Sequence, residues 1–216
     1  MLRRNFLHLI PSGLVALFVK PESKTGIDEV QYVEFNDAIH GIINKRMVYK
    51  KYTNYEGNIQ EEWYDENGKI HRNDGPALII QNECFKWCKH GELHREDGPA
   101  VEYAEGDKYW YKDGELHRED GPAIVYAGGG KCWYKDGELH REDGPAIVYA
   151  GGGKEWYKDG KRHREDGPAI EWADGDKDWY KDGKRHREDG PAIEYANGSR
   201  EWWLHGQLIR TKSACS

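Results

Sequence analysis

The 216-residue chain has only two methionines, four phenylalanines and four cysteines, and its longest apolar stretch, residues 9–19, is too short to span a bilayer as a helix. Scarce cysteine excludes disulfides as a shared staple, because Cys84, Cys88, Cys132 and Cys215 leave most of the chain without one. Cys84 and Cys88 have no second pair to complete a zinc site, and the four read as reduced thiols in a cytoplasmic protein. There is no basic excess: the formal net charge is -7. That disfavours a nucleic-acid partner, which needs a cationic face. No glycine-rich phosphate loop precedes a helical pattern, and no stretch of the later, repeated region carries the apolar period of a helix. Arg3 and Arg4 before the apolar stretch resemble an export signal, but Pro11 and Gly13 interrupt it and no small-residue cleavage site follows. A capping helix or strand is the expectation there.

Glycine, tryptophan and tyrosine are plentiful, at 26, 9 and 14 residues. Glycine suits turns, and the two large aromatics suit half-wet strands. Their placement is periodic. The word His-Arg-x-Asp-Gly-Pro-Ala begins at His71, His94, His117, His140, His163 and His186, always 23 residues apart. Between the words runs a second pattern, Lys-x-Trp-Tyr-Lys-Asp-Gly, in which Trp110, Trp133, Trp156 and Trp179 keep the same step, as do Trp87 and Trp202 toward the ends. Trp63 stands one position out, at a longer turn before Gly68. A fixed period of this length marks an array of small supersecondary units.

Each copy can be folded from its letters. Residues 108–112 read as a strand, and Asp113 with Gly114 as a two-residue hairpin turn. The chain returns through Leu116, bends at Gly121 and Pro122, and extends again over residues 123–127. The fold class is therefore all-β, an elongated antiparallel meander or solenoid of about six 23-residue hairpin repeats. Residues 1–46 form an N-terminal cap or docking segment, 47–210 the array, and 211–216 a tail.

Alternation along the strands predicts sidedness. Position 109 becomes Cys132, Glu155 and Asp178 in later copies and so reads as solvent-facing. Trp110 then faces the core, with Lys108 and Lys112 covering the indole. Tyr126 and its counterparts read as dry. The expected structural residues are Trp87, Trp110, Trp133, Trp156, Trp179 and Trp202, with His94, His117, His140, His163 and His186. Each histidine should tie its hairpin to its own bend, and Arg118 should pair with Glu119 or Asp120. A core indole predicts a loss of about 3–5 kcal/mol for Trp156→Ala.

The pattern of Trp179, Asp182, Gly183, His186 and Gly190, with a second turn at Asp174 and Gly175, resembles the MORN repeat, over about three quarters of the chain. The sequence departs from that family at Arg187, where the family has glycine, and at Glu188, Asp189 and Pro191 around Gly190. The resemblance implies single-layer antiparallel hairpins and a role in protein scaffolding or, in some members, at phospholipid heads. Net acidity weighs against anionic lipid.

Repetition also bears on chemistry. His, Arg and Asp recur six times with equal neighbours, whereas an active site is unique. Equivalent residues sit about 10 Å apart at two strand spacings, too far to share a metal ion. No catalytic residue, metal site or cofactor is expected, and the chain reads as no enzyme. The expected function is a non-catalytic scaffold for protein–protein interaction, with a membrane-associated or self-assembling structural role as the alternative. Candidate binding residues are the aromatics Tyr109, Tyr111, Tyr134, Tyr157, Tyr180 and Trp203.

Overall fold

A computed structural model gives the protein as an all-β chain of antiparallel hairpin repeats. It describes residues 14–19, 27–35, 45–53 and 57–214, with side chains from residue 48 onward. Arg3, Arg4 and most of the apolar stretch lie outside the described residues. The chain divides into two units, residues 1–105 and 106–216.

In the first unit, strands β1 (Leu14–Val19), β2 (Ile27–Phe35), β3 (Lys45–Thr53) and β4 (Ile59–Tyr64) form an antiparallel meander. The expected cap is thus strand rather than helix where it is described. β4 pairs with Leu78–Ile80, which pairs with Cys84–Lys86, which pairs with Val101–Tyr103. The first copies of the repeat word belong to this unit.

The second unit holds two ladders. The first is built from two-residue strands: Lys108–Tyr109, Ile124–Val125, Lys131–Cys132, Ile147–Val148, Lys154–Glu155, Ile170–Glu171, Lys177–Asp178 and Ile193–Glu194, each antiparallel to the next. It ends in Arg200–Leu204 and Gln207–Lys212. The second ladder is a row of tight hairpins such as Tyr134–Lys135 with Glu138–Leu139. Their turns have positive φ at both central residues, 49° at Asp136 and 78° at Gly137, the left-handed pair that matches strand twist. Successive hairpins are stitched by backbone bonds, as from Gly137 N–H to the Leu116 carbonyl at 3.0 Å and from Arg118 N–H to the Tyr134 carbonyl at 3.3 Å.

Tryptophan is the corner between the ladders. Trp133 N–H donates to the Ala146 carbonyl at 2.7 Å, and the Trp133 carbonyl accepts from His140 N–H at 3.1 Å. The repeat word is the loop enclosed by those two bonds. Its last residue is the deepest: Ala77, Ala100, Ala123, Ala146, Ala169 and Ala192 are all 0% exposed. Val101, Ile124, Ile170 and Ile193, with Cys84, Cys88 and Cys132, complete the apolar part of the core.

Four expectations about sidedness are corrected. Cys132, Glu155 and Asp178 are buried, with Glu155 only 2% exposed. The tryptophans are half-buried rather than central. Arginine, not lysine, covers each indole, with the Arg118 guanidinium 4.1 Å from the Trp110 ring and Lys108 and Lys112 exposed. Tyr126, Tyr149 and Trp172 lie outside, at about two-fifths exposure. The strand ends at Val125, so alternation no longer governs residue 126, where the chain turns through a bond from Tyr126 N–H to the Gly130 carbonyl. The Tyr126 ring lies over Gly130, where a Cβ would come within 3.2 Å of it.

Candidate functional site

The repeat word acquires a role letter by letter. In the copy beginning at His140, Arg141 lies over Trp133 at 4.0 Å from guanidinium carbon to ring centre. Its Nε donates to Asp143 Oδ1 at 2.9 Å, and its Nη1 donates to the Pro145 carbonyl at 3.3 Å. The same set recurs at Arg95, Arg118, Arg164 and Arg187. Gly144 gives the guanidinium room, since a Cβ there would sit 3.1 Å from the Arg141 guanidinium carbon. At Gly98 and Gly190 the corresponding distance is 2.9 Å, so a Cβ there would force the guanidinium to shift. Three of these arginines make a further bond across the loop, from Arg95 Nη1 to Glu102 at 3.1 Å, from Arg164 Nη1 to Glu171 at 2.9 Å and from Arg187 Nη1 to Glu194 at 3.0 Å. Arg118 pairs with Asp120, not Glu119. The bond to Arg118 and then its charge hold the Asp120 carboxyl below the usual range, as the matching arginines do for Asp97, Asp143, Asp166 and Asp189.

Histidine joins one copy to the next rather than to its own bend. Asp136 N–H donates to His117 Nδ1 at 3.2 Å, and Asp136 Oδ1 lies 2.8 Å from the same nitrogen. His140 meets Asp159, and His163 meets Asp182, in the same way. A bare Nδ1 accepts the N–H, and a protonated one donates to the carboxylate, so either ring state holds the same neighbour. His186 takes the backbone N–H of His205, whose ring leans on it 4.5 Å away. His94 Nε2 and Glu96 lie 3.7 Å apart. A His–Asp pair suggests catalytic chemistry, but here it is a splice between hairpins, repeated along the chain.

The buried carboxylates have partners of their own. Glu155 accepts from the hydroxyls of Tyr149 at 2.7 Å and Tyr157 at 3.0 Å, and from Arg162 Nε at 2.9 Å. Asp178 pairs with Arg185 at 3.3 Å; burial raises its carboxyl above the usual range despite that arginine. In the copy before these, the same two positions are Cys132 and Leu139. In these two copies acid and arginine enter together, seven residues apart, whereas Glu201 has Leu208 at that spacing. The pairing was readable in the sequence, but only by comparing copies two positions at a time.

Of the candidate binding aromatics, Tyr157 and Tyr180 line clefts between successive loops. Tyr109, Tyr111, Tyr134, Tyr157, Tyr180 and Trp203 are half-buried. Trp203 Nε1 donates to Glu201 at 2.8 Å, and burial, then nearby Cys132, raises the Tyr134 hydroxyl. Sequence reasoning did not single out the most exposed residues of the words, the glutamate and aspartate at 142 and 143 and their counterparts. Glu119 and Glu142 side chains are 87% exposed.

Successive loops leave a cleft between them. One of about 900 Å³ runs from loop 141–144 to loop 163–166, with Trp156 and Tyr157 in its wall. The next, about 730 Å³, repeats it one copy on. A similar cleft in the first unit lies between residues 72–75 and 94–97.

Among the described residues no group of three or more His, Cys, Asp or Glu could hold a metal ion. Nor, among them, is any helix long and apolar enough to cross a membrane. Cys84, Cys88 and Cys132 are free and buried, and burial raises each thiol, which makes them poor nucleophiles. A scan against protein-family models finds none that matches the chain, and a search of curated proteins finds no match.

Proposed function

We propose that the chain is a non-catalytic repeat scaffold that mediates protein–protein interaction through its loops. One observation carries this reading: the same solvent-facing loop recurs every 23 residues, held by an arginine that bonds to aspartate and proline and lies on tryptophan. A repeated surface can engage a partner at several points, and linked weak contacts multiply. The groups that would suggest an enzyme are instead committed to joining copies. The resemblance to MORN repeats, with their scaffolding role, supports the same reading. Buried, unpaired thiols suit a reducing compartment such as the cytoplasm.

Chemical crosslinking of the full chain in lysate, followed by mass spectrometry, tests the proposal. Partner crosslinks should concentrate on loop residues and weaken when Glu119, Glu142, Glu165 and Glu188 are changed to glutamine. If crosslinks join only copies of this chain, the self-assembling alternative takes its place. Flotation with vesicles containing anionic lipid would favour the membrane alternative if the protein rises with them.

A further inference from the structure

The clefts between successive loops carry a more specific chemistry, and we propose that each takes one cationic side chain of an extended basic peptide. The inference rests on the scaffold reading and names the partner's chemical class.

Charge comes first. In the cleft between loops 141–144 and 163–166, Arg141 and Arg164 are already neutralised by Asp143 and Asp166. That leaves Glu142 and Glu165 against one lysine, Lys158. Each glutamate approaches only a histidine, with Glu142 Oε1 3.8 Å from His140 Nε2 and Glu165 Oε1 3.7 Å from His163 Nε2. Both side chains are at least 85% exposed, so neither carboxylate is consumed by the fold. Anions are disfavoured there and cations favoured, in keeping with the net charge of -7.

An independent observation points to a hydrogen-bond donor. His163 lines this cleft and the next, and its side chain is only 12% exposed. Its Nε2 is buried without a hydrogen-bond partner. When Nδ1 carries the proton toward Asp182, Nε2 is a bare acceptor. His117 Nε2 is in the same condition two words earlier in the repeat series. A guanidinium or ammonium supplies the missing N–H.

The chain also holds its own arginines this way. Arg164 has an indole on one side, 4.0 Å away, and a carboxylate at 3.0 Å. An arginine entering the cleft meets the same pair of partners, an aromatic wall and carboxylates.

Spacing sets the peptide. Equivalent clefts lie two ladder strands apart, about 10 Å. A peptide in the polyproline II conformation advances about 3.1 Å per residue with three residues per turn, so every third side chain points the same way and falls on the next cleft.

Fluorescence anisotropy of synthetic peptides with the full-length protein tests this. One labelled 15-mer carries arginine at every third position, separated by glycine and serine; its isomer carries the five arginines as one block. At physiological salt the spaced peptide should bind at least tenfold more tightly. Glu142→Gln, Glu165→Gln and Glu188→Gln together should weaken it at least tenfold, with an unchanged thermal midpoint. Equal affinity for both isomers, unchanged affinity in the triple variant, or no binding at millimolar protein would each overturn the inference. Loop-centred crosslinks to natural partners in that event would leave the scaffold reading standing.

Discussion

Glu155 and Arg162 are two halves of one substitution. Changing Arg162 to leucine alone leaves a buried carboxylate with only tyrosine hydroxyls and should cost about 3–5 kcal/mol. Glu155→Cys with Arg162→Leu together recreates the Cys132 and Leu139 pair of the preceding copy, and should fall within about 1 kcal/mol of the parent. Urea unfolding of both variants measures the difference. The pair also explains why sidedness was misread from the letters. An acidic residue at a variable strand position implies water unless its partner is seen, and the partner here is in the second ladder. With position 155 turned inward, Tyr157 falls inward with it by alternation, as its bond to Glu155 requires. The tryptophans invert the other way: invariance suggested a core, whereas each is a half-buried corner capped by arginine. Trp156→Ala should therefore lose about 2 kcal/mol in the same assay, less than a fully buried indole would.

At the scale of the element, the hairpin turn and the loop carry separate predictions. Asp136 has a φ of 49°, which costs an ordinary residue about 1–2 kcal/mol. Asp136→Ala should lower the thermal midpoint, and Asp136→Gly or Asp136→Asn should recover most of the loss. This turn was legible in the sequence, because Asp-Gly between strand residues admits few backbone solutions. The splice from histidine to the next hairpin was not, because it joins residues 19 apart and requires the stacking to be known. In the loops, Asp97, Asp120, Asp143, Asp166 and Asp189 all ionise more readily than in an unfolded chain, each held by its arginine. The stability they supply is present above the ordinary aspartate value of about 3.9 and is lost as pH falls through their lower folded-state values. Asp178 acts oppositely, because burial raises its carboxyl and its protonation on acidification favours the fold. Urea midpoints should decline below about pH 4. Replacing the five loop aspartates with asparagine should flatten that decline.

For the whole molecule, what matters is that a copy has little core of its own. Its alanine is fully buried, its strands are two residues long, and its hairpin bonds to the hairpins before and after it. Repeat number and period were plain in the sequence, because a 23-residue step survives any error about sidedness. The ladders were not, because nothing in one copy reveals that its tryptophan bonds to the alanine of the following word. Deleting residues 140–162 from the full chain removes one period and rejoins equivalent positions, and thermal unfolding followed by circular dichroism reads the result. The shortened protein should keep the parent's β spectrum and a cooperative transition, while removal of residues 140–151 alone should abolish both. Equal behaviour of the two deletions would contradict stacking in a 23-residue register.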